Sequence, residues 1–354
     1  MKNNTVFDLV TPAGLHTKKI LDDFNFKNFN FSKWLYYAFV IFMSSSLFGL
    51  NFNFNELIKE NITSSPSFVS SPNFVFLIIG LIIVCFILSF VWMYLSCNFT
   101  YILNDSVLLN KRDIKEFWAK NNKKAKSYYF LLIKIIVMMI LACIVGGFLI
   151  ALIGGMASSS GSSVGVGIAG GCLAFTIFLI IGLAFGIYMM LIANFAVPLH
   201  LRVDENIPVA QVLKNLYNEL KAKKELGKGA MAILALFLVK CGVNLVYSVF
   251  SMIFFSIIFL FYSFLSKSPV FWVVFAFMFL IYFAIILFLN VPGGIFISSY
   301  KLLLVSFLSP ENAVLLPLRD EKGKFVGTMS YFEHLEREQA EATNMNDYSS
   351  YPQM

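Results

Sequence analysis

A chain of 354 residues that is 58% hydrophobic and 13% charged carries about half the charge of a soluble domain, where roughly a quarter of residues are charged. Its mean hydropathy is +0.77, and the apolar residues gather in runs longer than about 18, which excludes a large soluble core and indicates membrane helices. The net charge of +7 would suggest nucleic acid in a soluble protein, but here the basic residues flank apolar runs; anionic lipid is therefore the expected partner and nucleic acid is not.

Residues 1–33 read as a polar cytoplasmic leader. Asp8, Asp22 and Asp23 precede the first apolar run, so no cleavable signal peptide is expected. Phe24, Phe26, Phe29 and Phe31, then Trp34, Tyr36 and Tyr37, mark the chain meeting the interface, where amphipathic rings are favoured. The first span is predicted at 34–50. A polar connector with two prolines follows (51–73), then a second span at 74–103.

The stretch from Leu103 to Ser127 forms an elbow. Within it Ile114, Phe117 and Trp118 share one face of a short helix suited to the headgroup layer. Spans three and four are predicted at 128–153 and 165–197. Their junction, GGMASSSGSSVGVGIAGG (154–171), is rich in small residues. Gly147, Ala151 and Gly155 recur every fourth position, as do Ser163, Gly167 and Gly171, with Gly182 and Gly186 further on. Such spacing predicts a tight helical hairpin, with a pore-lining glycine face as the alternative.

A second elbow runs from Asn194 to Gly229. Its helical stripe comprises Val209, Val212, Leu213, Leu216, Tyr217 and Leu220, and Pro208 stands near the helix start. With Lys221, Lys223 and Lys224 beside it, this helix is expected to lie flat on the inner leaflet. Span five, 230–265, is too long for one perpendicular crossing of about 20 residues, so it either tilts or begins with shallow turns. After a turn at Lys267-Ser268-Pro269, span six is predicted at 270–292. Pro292-Gly293-Gly294 should kink it, with apolar continuation to 308. Residues 309–354 read as a cytoplasmic tail, partly disordered, with a short helix near 331–341.

Orientation follows from Lys and Arg. With the N-terminus inside, residues 1–33, the two elbows and residues 298–354 carry five, seven, six and five, which places 23 of the 27 on the cytoplasmic side. The outside connectors hold only Lys59 and Lys267. This bias predicts six spans with both termini cytoplasmic.

Ionisable groups inside apolar spans are functional candidates, because a charge in hydrocarbon is costly. There are two, Lys134 and Lys240, in similar strings FLLIKIIV (130–137) and LFLVKCGV (236–243). Each follows an elbow, which suggests a span–elbow–span unit used twice. The pair could bind an anionic headgroup or substrate; alternatively each stem snorkels to the interface. Asn98, Asn194, Asn244 and Asn290 either line a polar path or bond between helices. No span contains a carboxylate, which argues against proton or cation coupling. His16, His200 and His334 are scattered, and hydrolase, metal and phosphate-loop motifs do not occur. Cys85, Cys97, Cys143, Cys172 and Cys241 form no CxxC pair and fall in or beside apolar runs, so they read as packing residues.

Four stretches in this order resemble a family of uncharacterised six-span membrane proteins of bacteria and archaea. They are FNFSKWLYYAFVIF (29–42), FTYILNDSVLLNKRDIKEFWAKNNKKAKSYYFLLIK (99–134), NFAVPLHLRVDENIPVAQVLKNL (194–216) and NVPGGIFISSYKLLLVSFLSPE (290–311). In the last, Tyr300-Lys301 supplies the aromatic beside a basic residue that the family pattern leads one to expect. The resemblance implies six spans and no activity.

The expectation is thus an all-α polytopic bundle of about six spans with two amphipathic interfacial helices on the cytoplasmic side of a bacterial inner membrane. It is expected to be a non-enzymatic component without cofactor or metal, binding anionic lipid headgroups or a cytoplasmic partner. A membrane-protein partner or a second copy is a further partner class. The alternative is a permease or channel for an anionic or amphiphilic solute. Candidate residues are Lys240, Lys134 and Asn244 within the membrane, and Trp118, Val209, Leu213, Leu216, Lys223 and Lys224 on the interfacial helices.

Overall fold

Apolar runs of this length have few alternatives to helix, because every backbone polar group must be satisfied within the segment. The computed structural model describes residues 6–21, 30–44, 72–159, 191–201, 203–265, 270–308, 315–319 and 325–330, with isolated positions between 176 and 189. A 3-10 turn, Val6–Leu9, leads into α1 (Val10–Ile20), followed by α2 (Phe31–Ser44), α3 (Pro72–Leu109) and α4 (Ile114–Ser159). Then come α5 (Leu191–His200), α6 (Val209–Ala222), α7 (Leu226–Leu265) and α8 (Val270–Leu308).

Among the described residues four helices, α3, α4, α7 and α8, are long and apolar enough to cross a membrane. They number 38 to 46 residues, or roughly 57 to 69 Å at 1.5 Å per residue. That is about twice the ~30 Å of a hydrocarbon core. Each divides accordingly into two halves. In one, large apolar side chains are exposed: Ile79 to Val91 on α3, Val137 to Phe148 on α4, Leu245 to Phe259 on α7 and Val273 to Leu289 on α8. In the other, the same helices are packed together, as at Ser96–Val107 of α3 and Tyr300–Val305 of α8.

The change-over falls at Trp92, Lys134, Lys240 and Asn290, each followed or preceded by the first buried residues (Met93, Ile135, Leu236, Val291). From there to the far ends of α3 and α8, at Pro72 and Val270, is about 20 residues, one hydrocarbon thickness.

The packed half of α8 is the central post. Leu302, Leu303, Leu304 and Val305 are consecutive and fully buried, as expected of a helix apolar all round. Around it stand α1, α2, α3 and α7. Gly293 and Gly294 serve close approach. A Cβ at Gly293 would lie 2.0 Å from the Tyr247 hydroxyl, and one at Gly294 would lie 2.6 Å from Ile41 Cδ1. Pro292 lies inside α8, which continues helical through it. The proline removes the donor to the Phe288 carbonyl, and one residue on the Tyr247 hydroxyl donates to the Leu289 carbonyl at 3.2 Å.

Several expectations change. The leader contributes to the core: Leu9, Ala13 and Ile20 are fully buried, His16 Nε2 donates to the Val107 carbonyl at 3.0 Å, and Tyr300 donates to the Val6 carbonyl at 3.1 Å. Charge content alone marked residues 1–33 as solvated, but their apolar positions recur at helical spacing. The first elbow has no separate interfacial helix. Asn110, at φ 47, and residues 111–113 turn the chain directly into α4, where the Asp113 carboxylate caps the helix by accepting from the Glu116 N–H at 2.9 Å. Phe117 is fully buried and Trp118 meets Phe99 edge-on at 5.9 Å, so this face packs on protein.

The predicted first span, 34–50, overlaps α2, which runs from Phe31 to Ser44 and is 14 residues long, short of the ~20 needed to cross alone; residues 45–50 lie outside the described residues, as does most of 165–190. Among the described residues nothing lies within 4 Å of a Cβ position at Gly147, Gly182 or Gly186; residues 160–175, which hold the other side of the predicted hairpin, lie outside the described residues. The tail adds a feature absent from an all-α expectation, an antiparallel hairpin of β1 (Leu315–Arg319) and β2 (Phe325–Ser330) with an irregularity after Leu318. The helix expected at 331–341 lies outside the described residues.

Candidate functional site at the edge of the packed half

The second elbow is held by the first. Lys123 of α4 pairs with Glu205 at 2.6 Å, Lys124 donates to the Leu201 carbonyl at 3.2 Å, and the Ser127 hydroxyl accepts from the Val209 N–H at 3.2 Å. Beneath them lies His200, fully buried at the C-terminal end of α5 and past the predicted limit of span four. Its Nε2 is 2.9 Å from the Ile207 carbonyl and its Nδ1 is 2.7 Å from the Tyr101 hydroxyl. A carbonyl only accepts, so Nε2 carries the proton and Nδ1 accepts from Tyr101. Burial pulls the His200 pKa down to about 4; the Ile207 hydrogen bond opposes the fall and the Lys124 charge adds to it. The ring is a neutral strut between α3, α5 and the elbow loop.

The elbow helix α6 begins at Pro208, whose φ of −64° and ψ of 143° place it at the cap position. Val209, Val212 and Leu220 are buried and Leu213 and Leu216 half-buried, so the stripe faces the bundle. Lys223 pairs with Glu219 at 2.9 Å. Lys224 adopts φ 56, the left-handed form that ends the helix and turns the chain into α7.

Between α5, α6 and the start of α7 lies a cavity of about 560 Å³. Its walls include Leu191, Phe195, Leu213, Leu216 and Ile233, and among the described residues Lys214 is the one charged residue lining it. Tyr188, Tyr217 and Leu226 at its edge are exposed. The volume lies within the ~300–1,000 Å³ of small-molecule sites.

The intramembrane candidates separate. Lys240 is half-buried and donates to Asn194 Oδ1 at 2.6 Å, joining α7 to α5, while Lys301 of α8 lies within electrostatic range of it. Lys240 has no carboxylate partner among the described residues. Lys134 and Asn244 are exposed and are not brought to this pair. Among the described residues Lys240 is built into an interhelical contact and Lys134 is not. Among the described residues no three His, Cys, Asp or Glu side chains gather as a metal site.

His200, Tyr101, Lys214 and Lys301 were not distinguishable by pattern. Tyr101 and His200 stand 99 residues apart, and no local spacing links them. Lys214 reads as the polar face of an amphipathic helix. Lys301 was visible only as the basic residue beside Tyr300.

No curated protein and no solved structure matches this chain. A family model does match it over residues 5–315, from the first turn of the packed half through the end of α8 to the first residue of β1, and the chain therefore belongs to a family of unknown function (DUF7544).

Proposed function

We propose that this chain is a six-span protein of a bacterial cytoplasmic membrane, with both termini cytoplasmic, acting as a non-enzymatic component that holds anionic lipid at its cytoplasmic face. The carrying observation is the division of the four long helices. Exposed apolar halves about one hydrocarbon thickness long adjoin a packed half that bears the lysine-rich elbows. Basic segments beside a membrane attract anionic headgroups at about 1 kcal/mol per Lys or Arg, and the same asymmetry sets orientation. The two spans beyond the four, and the flat placement of α6 on the leaflet, belong to this reading.

A reporter fused after Ser65 tests the topology: it should read as periplasmic, and a cytoplasmic signal overturns the arrangement. Thermal unfolding in nanodiscs tests the lipid preference. A higher midpoint in phosphatidylglycerol than in phosphatidylcholine is expected, and equal midpoints sink it.

The Lys240–Asn194 contact favours a second reading, a permease or channel for an anionic or amphiphilic solute. An ammonium held by a neutral amide keeps its charge available to an anion. Flux into vesicles should then fall in Lys240→Ala, and equal flux from both proteins removes this reading.

A further inference from the structure

The cavity beside α6 is lined in a way that says what can occupy it. Water needs two to four polar partners to reside in a cavity, and Leu191, Phe195, Leu216 and Ile233 offer none through their side chains. The rim is open: Tyr188 is 48%, Tyr217 53% and Leu226 44% exposed. Along α7 that rim continues into Met231 and Leu234, also exposed, on the way to the apolar half. The apolar material that reaches such an opening is a lipid chain.

Surrounding lipid is as apolar as the cavity walls, so burial alone gives little preference for one lipid over another. Discrimination must come from charge, and Lys214 is the charged residue on the wall. It is exposed and carries no ion-pair or hydrogen-bond partner among the described residues. We propose that the cavity between α5, α6 and α7 seats one acyl chain of an anionic phospholipid, with the headgroup phosphate against the Lys214 ammonium. This deepens the membrane reading above and rests on it.

The full-length chain is reconstituted into equimolar palmitoyl-oleoyl phosphatidylglycerol and phosphatidylcholine vesicles, extracted in mild detergent, and weighed by native mass spectrometry. One phospholipid per chain should survive, with phosphatidylglycerol favoured about fivefold, the worth of a single cation near its headgroup. Lys214→Gln should keep the lipid and bring the headgroup ratio close to one. Ala230→Trp and Ala210→Trp, which fill the cavity from α7 and α6, should each lose it while keeping the wild-type elution volume. The proposal is overturned if the wild type retains no phospholipid or only a free fatty acid. It is equally overturned if Lys214→Gln keeps the full preference, or if a folded tryptophan variant retains the lipid. A wild type that inserts and is stabilised by phosphatidylglycerol, yet retains no lipid, removes the cavity assignment and leaves the membrane reading standing.

Discussion

Acidification should loosen the packed half through His200. The ring is fully buried, with both nitrogens committed to Ile207 and Tyr101, and its pKa is held at about 4 against about 6.5 in the unfolded chain. The unfolded state therefore binds the extra proton between pH 6.5 and 4, and stability falls as pH is lowered through that window. At 1.36 kcal/mol per pKa unit the full loss is on the order of 3 kcal/mol, with about 2 kcal/mol gone by pH 5. Protonating Nδ1 also turns the Tyr101 hydroxyl from donor to acceptor and leaves a charge buried in the strut between α3 and α5. The assay is reversible unfolding in detergent micelles by titration with dodecyl sulfate at pH 7.5 and pH 5, for wild type and His200→Gln. Carboxylates elsewhere titrate alike in both proteins and cancel in the difference. Glutamine does not titrate, so His200→Gln should start about 1 kcal/mol lower at pH 7.5 and lose about 2 kcal/mol less on acidification. Parallel pH curves for the two proteins would refute the reasoning.

Two further outcomes follow from the packing. Gly294→Val should destabilise by about 1–3 kcal/mol, because a Cβ there meets Ile41 at 2.6 Å. Gly147→Val meets nothing within 4 Å among the described residues and should stay within about 0.5 kcal/mol; thermal midpoints of the two variants check the contrast, and equal shifts would contradict it. Tyr300→Phe removes the 3.1 Å bond to the Val6 carbonyl, about 1 kcal/mol. Limited proteolysis should then cut earlier within residues 6–21 than in wild type, and an unchanged cleavage rate would show that the Tyr300 bond does not hold this segment, leaving apolar packing and the His16–Val107 bond to do so.

What was legible in the sequence is what has a local signature. The four long apolar helices, the stripe of α6 and the position of Pro208 all follow from runs and spacings read within a few turns. The partition of each helix into packed and exposed halves was not legible, because both halves are apolar. Exposed Phe255 and buried Tyr300 differ in what stands beside them, not in being large and aromatic. For the same reason span five looked overlong: its first turns, with Ala232, Ala235 and Leu236 buried, belong to the packed half. The N-terminal helix and the His200 strut depend on partners 91 or more residues away, beyond any periodicity. The lysines at positions 134 and 240 looked equivalent because their neighbours are similar, and only the presence of Asn194 opposite one of them separates the two.

The basic elbows illustrate how one residue type can serve two ends. In counting for orientation every Lys and Arg weighs equally, since topology is set before tertiary contacts exist. In the folded chain they divide. Lys120 pairs with Asp105 at 3.1 Å, Lys123 with Glu205 at 2.6 Å and Lys223 with Glu219 at 2.9 Å, while Lys111 pairs with Glu116 and Lys228 with Glu225. Asp105 is buried and also accepts from Asn121, so the Lys120 pair joins α3 to α4 at a place where losing one partner strands a charge. Lys115, Lys126, Lys214, Lys221 and Lys224 are exposed and have no acidic partner among the described residues. Attraction to an anionic surface must come from this second set, because a charge already neutralised by a carboxylate contributes little field beyond a Debye length. All five lie on or flank exposed faces of α4 and α6, and Lys214 is the one of them that also reaches the cavity wall. The elbows thus fix the bundle with one set of lysines and leave the other set unpaired among the described residues; on the proposed lipid-binding reading, this second set is the one that meets headgroups, and Lys214 of α6 is its member at the cavity.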